Sequence, residues 1–442
     1  MSFNEYSFCP EIWSQLEITS TGDYKICCLA YGKYEQGLAV DDNGKVMNVM
    51  THSISDAINS QTHKKHRLEL MNNQRPERCR NCYHLDDVSD KMYRSTGNSK
   101  RQNTINRTAK LIPEYMTLES ADSFTTSDGT ALSKVVNLHI HFSNLCNMKC
   151  LMCSPESSSL WYEDYVLMNN TNTFSMGSTK YTISKDEHNR YKMNYNKWWE
   201  SDIWRQRFDE IKQDLRYIYF TGGEPFLVPA LSDCLDDLIA NNLHTEIHLR
   251  FDTNLSVINR TVLEKIKKFK SVSLCISVDD VEHRYNLVRF PGNYDTFIKN
   301  LETVIKMNIK ISYLSSCIGI ATLHAMPRVY DLIEKYNLTA EFRFLEGPKW
   351  LDIRYLPKSA KEELIKQYNL LAKSTNSRHW YNVMANMLTK FLDETASDSV
   401  YVNQFVRNMD LLDSSRNTDW RKDLPDVYEF LKKHSNNKIK NL

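Results

Sequence analysis

Between residues 135 and 345 the chain alternates strand-like and helix-like segments, and this alternation restricts its fold more than any other feature. Period-2 or continuous apolar runs predict strands at 135–142, 215–221, 245–253, 272–278, 310–320 and 340–345. Helical spacing predicts helices near 230–241, 259–270, 294–307 and 326–336. Strands that alternate with helices of this length imply a parallel sheet with crossover helices, an α/β fold.

Residues 146–153, CNMKCLMC, set Cys146, Cys150 and Cys153 in a C-x3-C-x2-C spacing just beyond the first of these strands. Three thiolates on one short loop can each ligate one iron of a [4Fe–4S] cluster, leaving the fourth iron open to a small molecule. With 11 cysteines in 442 residues, random scattering would give roughly 0.007 such triplets. The alternative chemistry is a structural zinc site, with His139 or His141 as the fourth ligand. The second strand runs into FTGGEPFL. Gly222 and Gly223 permit φ > 0 or close backbone approach, Glu224 offers an acceptor for an ammonium group, and Pro225 stiffens the exit.

Together the two motifs resemble the radical S-adenosylmethionine (radical SAM) superfamily. The resemblance implies a partial (β/α)6 barrel whose cysteine triplet holds the cluster, with Gly222, Gly223, Glu224 and Pro225 facing the methionyl amine of SAM. Thr253 and Asn254 match a third-strand position near SAM. Ser277 and Asp279 match a segment close to its ribose or carboxylate. Tyr285 and Arg289 resemble a Y-x3-R element whose arginine meets the SAM carboxylate. Met152 stands where the family commonly has an aromatic residue, and its backbone would contact adenine. The implied chemistry is reductive cleavage of SAM to a 5′-deoxyadenosyl radical that abstracts hydrogen from a substrate. All these motifs lie at or just past strand carboxyl ends, where α/β barrels place active sites.

Five further cysteines precede the barrel: Cys9, Cys27, Cys28, Cys79 and Cys82. The stretch CPEIWSQLEITSTGDYKICC reads as a β-hairpin turning at Thr21-Gly22-Asp23, followed by a helical segment at 54–72 and then RPERCRNC. This resembles the twitch or half-SPASM auxiliary module, which implies a second [4Fe–4S] cluster on Cys9, Cys27, Cys79 and Cys82. Adjacent side chains on an extended backbone face opposite ways, so only one of Cys27 and Cys28 reaches the metal, and Cys27 is favoured. A four-cysteine zinc knuckle is the alternative.

The expected domains are an auxiliary module at 1–94, a polar linker at 95–134, the barrel at 135–350 and a helical region at 351–442. An insertion at 154–214 interrupts the barrel, with a loop-like middle at 169–184. Its aromatics Trp161, Tyr162, Trp198, Trp199 and Trp204 read as packing or as a substrate lid. Asp413 and Arg416, in the tail, read as a solvated i,i+3 ion pair or as substrate contacts. Charge is balanced at 56 basic and 55 acidic residues, so no global field recommends nucleic acid or an anionic membrane. No apolar run approaches a membrane span and no leader pattern appears, so a soluble, cytoplasmic chain is expected. The resemblance further implies a flavodoxin- or ferredoxin-type reductant and a peptide or protein substrate. A sugar or nucleotide-like small molecule is the alternative substrate. A non-catalytic iron–sulfur scaffold is the alternative from another class, and it would have no use for a SAM pocket. Cys234, Cys275 and Cys317 read as core residues, or one of them as a hydrogen-atom donor to a substrate radical.

Overall fold

The computed structural model describes residues 8–28, 30, 37–80, 82–83, 120–176, 179–194, 196–374, 379–394 and 398–435. Two compact units emerge. The first comprises Met1–Leu145, Thr173–Phe251 and Asn259–Val272, the second Cys146–Asn172, Asp252–Ile258 and Ser273–Leu442.

In the first unit, strands β1 (Gln15–Ile18), β2 (Tyr24–Lys25), β3 (Asn137–His141), β7 (Tyr217–Thr221) and β8 (His248–Thr253) lie in the order β2-β1-β3-β7-β8. The expected hairpin is present, with β2 antiparallel to β1. Its first strand does more than was expected, because β1 pairs parallel with β3, Leu16 opposite Leu138 and Glu17 opposite His139. β3, β7 and β8 continue in parallel. Leu16, Ile18, Leu138, Ile140, Ile218 and Phe220 are all buried. At about 1.5–3 kcal/mol per fully buried side chain of this size, such residues set the register.

The expected helix at 54–72 divides into Ile54–Ile58 and Gln61–Met71, because Ser53 and Ser60 each cap a new start by accepting from Asp56 N and His63 N. Arg67, on the second of these, is fully buried. Its guanidinium donates to the carbonyls of Ile12, Ile58 and Gly129. Of the segment expected as a linker, 95–119 lies outside the described residues. Residues 120–134 pack closely: Ala121 and Ala131 share a core with Phe8, Ile12, Trp13 and Leu70, and Trp13 Nε1 donates to Thr125 Oγ1 at 2.7 Å.

The middle of the insertion is a correction. The stretch expected to be loop-like forms an antiparallel sheet of β4 (Thr173–Met176), β5 (Thr179–Lys185) and β6 (Tyr191–Met193). Its Ser, Thr and Asn content resembles a loop, but β-branched threonines alternate with Phe174, Tyr181 and Ile183, which suits a strand. Asp186 Oδ1 closes the second turn by accepting from His188 N and Arg190 N. The five insertion aromatics are all buried, Trp198 completely.

The second unit holds β9 (Ser271–Ser277), β10 (Lys310–Ile318) and β11 (Ala340–Phe344), all parallel. Helices Tyr294–Lys306 and Ala325–Lys335 connect them. From Lys358 the chain is helical, in Lys358–Ser374, Trp380–Glu394, Ser399–Arg416, Trp420–Asp423 and Pro425–His434. No helix among the described residues is long and apolar enough to cross a membrane.

Candidate functional site

The cysteine loop of the second unit is held mainly through its backbone. Lys149 N donates to Phe290 O at 2.6 Å and Leu151 N to Val288 O at 2.9 Å. Trp161 Nε1 donates to Cys150 O at 2.9 Å, and Ser158 Oγ to Met148 O. Cys153 N closes a turn onto Cys150 O at 3.0 Å. These bonds pin the loop while leaving all three thiols free of disulfides. The Cys150 and Cys153 thiols hydrogen-bond to each other. That bond pulls Cys150 down against its burial, with Arg289 helping, and pushes Cys153 up.

Arg289 follows the helix Glu282–Val288, where its N–H donates to Tyr285 O. The Y-x3-R pattern is thus one helical turn. Its guanidinium pairs with buried Asp279, Nη2 to Oδ2 at 2.7 Å, and Nη1 stands 3.9 Å from Cys150 Sγ. Nε is buried without a hydrogen-bond partner. Asp279 Oδ1 accepts from Cys317 N at 2.8 Å, so one carboxylate fixes both Arg289 and the end of β10. Burial pushes the Cys317 thiol up to about 12, which keeps it a neutral thiol. Cys234 and Cys275 are buried in the core.

Asn254 is the second tie. Its Nδ2 lies 3.7 Å from Cys146 Sγ and 3.3 Å from Asn147 Oδ1, while Oδ1 accepts from Ser256 N at 2.8 Å. Thr253 Oγ1 accepts from Leu255 N at 2.9 Å, shaping the turn that presents Asn254. Ser277 ends β9 opposite Ser315. Met152 is half-buried at the tip of the cysteine loop.

In the first unit, the GGEP turn leaves β7 and closes against the end of β3. Gly222 has φ +121°, and a Cβ there would meet Ser143 O at 2.7 Å; at Gly223 a Cβ would meet Leu145 O at 2.1 Å. Gly223 N donates to Ser143 O and Glu224 N to Leu145 O, each at 2.8 Å. The second glycine therefore accommodates the chain's own backbone at the residue just before Cys146. Glu224 is buried and its Oε1 accepts from Phe226 N at 3.3 Å, capping the turn Pro225–Leu227.

The front cysteines also converge. Cys9 is pushed well up by burial, then by Glu11, Cys82 and Cys27. Cys79 is pushed up by burial, then by Cys27, Cys9 and Cys82. Cys9 and Cys79 are thus both disfavoured as thiolates by neighbouring thiols, Cys27 and Cys82 among them, an arrangement a bound cation would relieve. Cys28 is exposed. His66 Nε2 lies 3.2 Å from Cys79 Sγ.

Several contributors went unread in the sequence. Asn147 and Lys149, inside the triplet, could have been singled out as the polar members of the loop. Trp161 and Arg416 were singled out, but for packing or a lid and for an ion pair or a substrate contact, not as supports of this loop. Arg416 corrects the expectation of a solvated pair with Asp413. It is buried and bonds Asp164, with Nε at 3.0 Å and Nη2 at 2.8 Å from Oδ2. Asp413 instead accepts from Thr418 Oγ1 at 2.6 Å and Trp420 N at 2.9 Å. His139 and His141, offered as a fourth zinc ligand, share a bond to the Thr221 hydroxyl at 2.8 and 3.1 Å.

Two family models match the sequence: the radical SAM superfamily over residues 140–333 and the SPASM iron–sulfur cluster-binding domain over residues 9–83. Among curated proteins, none is similar enough to match. Solved structures similar to the chain include native anSMEcpe with bound AdoMet and the Cp18Cys peptide, at 18% identity over 53% of this chain and 59% of that one, TM-score 0.35. Streptococcus suis SuiB is 12% identical over 78% of this chain and 68% of its own, TM-score 0.35. The chain thus spans about three fifths of the length of the first solved structures it matches, and these scores are too low to carry a substrate across. Residues 140–333 thus carry the match to the radical SAM superfamily, and residues 9–83 the match to an iron–sulfur cluster-binding domain of the SPASM type.

Proposed function

We propose that the chain reductively cleaves S-adenosylmethionine and uses the resulting radical to remove hydrogen from a peptide or protein. Cys146, Cys150 and Cys153 would hold the SAM-binding [4Fe–4S] cluster, and Cys9, Cys27, Cys79 and Cys82 an auxiliary one. When bound, the first cluster supplies the electron that breaks the sulfonium bond of SAM. The observation carrying this reading is the backbone-pinned loop: three thiols on a rigid frame, with the Arg289 guanidinium beside them. That donor set fits three-point ligation of a cluster with one open iron.

The protein's own residues bind and orient. Arg289, fixed by Asp279, presents fixed positive charge next to Cys150, where an anionic thiolate–cluster assembly and a ligand carboxylate both gain from it. Asn254 orients the Cys146 thiol. Gly222 and Gly223 let the turn carrying Glu224 sit against the strand end that leads into the loop.

Anaerobically reconstituted protein incubated with SAM and dithionite tests the proposal. 5′-Deoxyadenosine and methionine should form, and both should vanish when Cys146, Cys150 and Cys153 become alanine. The Cys79→Ala/Cys82→Ala variant should lose about four of eight irons per chain yet still cleave SAM. A fully iron-loaded wild type that yields no deoxyadenosine would sink the reading. Asn254→Ala should lower iron retention at the triplet roughly 10-fold or more, the usual penalty for losing a ligand's supporting contact, as measured by competition with a chelator.

A further inference from the structure

One face of the first unit's sheet carries an unbroken row of polar side chains. Lys25, Glu17, His139, Tyr219 and Arg250 are register partners across β2, β1, β3, β7 and β8. Two residues on, His141 lies opposite Thr221. Such a row in the middle of a sheet is unusual, because buried polar groups need partners. Here the partners are incomplete. Glu17 Oε2 and His139 Nδ1 are buried without a hydrogen bond, although Glu17 and His139 are only 3% and 2% exposed. Around them Glu17 Oε1 meets His141 Nε2 at 3.0 Å. One ligating atom from each of Glu17, His139 and His141 lies within 4.8 Å of the other two.

We propose that Glu17, His139 and His141 form a site for a divalent first-row cation, separate from both cysteine sets. Two imidazoles and a carboxylate are the protein donors of many open metal sites. A cation about 2.0–2.2 Å from each donor needs donors roughly 3–4 Å apart, so modest closure of the trio completes the coordination. The protonation states already suit ligation. Burial favours the neutral Glu17, but Lys25 and the His141 hydrogen bond outweigh it and hold the carboxyl down at about 2. Burial, with His141 adding to it, holds His139 well below its ordinary value, leaving a neutral imidazole. The bond from His139 Nε2 to Thr221 sets the ring's orientation, and Tyr219 stacks on it at 4.2 Å between centroids. Lys25 Nζ, 3.7 Å from Glu17 Oε2, opposes a second cation, as does Arg250 over Tyr219. The open coordination positions therefore favour an anionic oxygen ligand such as a carboxylate.

Manganese(II) is the probe, because it prefers nitrogen and oxygen donors and competes poorly for thiolates. Reconstituted, chelator-washed protein with both clusters in place is titrated while free Mn(II) is counted by its EPR lines. About one tightly bound ion per chain is expected. Binding should weaken by more than roughly 10-fold in His141→Asn, a change at a partly exposed side chain, and in Glu17→Gln. Lys25→Met should tighten it, a response that mere loss of structure would not produce. Uptake by the wild type no greater than by His141→Asn overturns the proposal, as does Lys25→Met binding no more tightly than wild type.

Discussion

Asp164→Ala should lower folding stability by about 3–5 kcal/mol, the cost of leaving a buried charge without its partner. Asp164 is completely buried and serves three donors: Arg416 through Oδ2, with Lys149 Nζ at 3.1 Å and Ser415 Oγ at 3.0 Å on Oδ1. The Arg416 side chain is only 1% exposed, lies over the rings of Trp161 and Phe290, and keeps Nη1 unbonded. It can neither reach water nor shed its proton, so removing the carboxylate strands it. Asp164→Asn preserves shape and some hydrogen bonds and should lose less. Urea denaturation of the reconstituted protein measures both, and a loss for Asp164→Ala below about 1 kcal/mol would mean that the pair only balances its own desolvation. Because Lys149 sits between Cys146 and Cys150, the same variant should also release iron faster.

Gly223→Ala should cut deoxyadenosine formation by about 100-fold or more, the scale expected when reacting groups are misplaced by an ångström. The new Cβ would meet Leu145 O at 2.1 Å, Leu145 C at 2.6 Å and Asn144 C at 2.8 Å. All three are backbone atoms, so no side-chain rotation relieves the clash. The turn must move away from the strand end, breaking the Gly223–Ser143 and Glu224–Leu145 bonds. Gly347→Ala is the control, since a Cβ there meets nothing within 4 Å. Wild-type turnover in Gly223→Ala would show that this close approach is dispensable.

Strand and helix positions from 135 to 345 were legible because strands such as β3 and β8 alternate apolar with polar residues, or run apolar, and the connecting helices carry their own period. The cysteine triplet was legible because its geometry is local. What escaped depends on contacts distant in sequence. Nothing near Arg416 announces Asp164, 252 residues away, and its own neighbourhood resembles a solvated helix end. The parallel partner of β1 lies 122 residues on, at Gln15 and Asn137, so a reader of the hairpin sees only its antiparallel half. Glu17 then looks like a solvent-facing strand residue, and its meeting with His139 stays hidden. The sheet at 173–193 was misread for another reason, because composition was weighed above alternation.

The parallel pairing of β1 with β3 makes the front of this protein inseparable from the strand it flanks. A fragment beginning near residue 134 would lack β1 and present the β3 margin, five residues of unpaired amides and carbonyls, to any strand that met it. Trimming the chain to start there should therefore yield sticky, self-associating material.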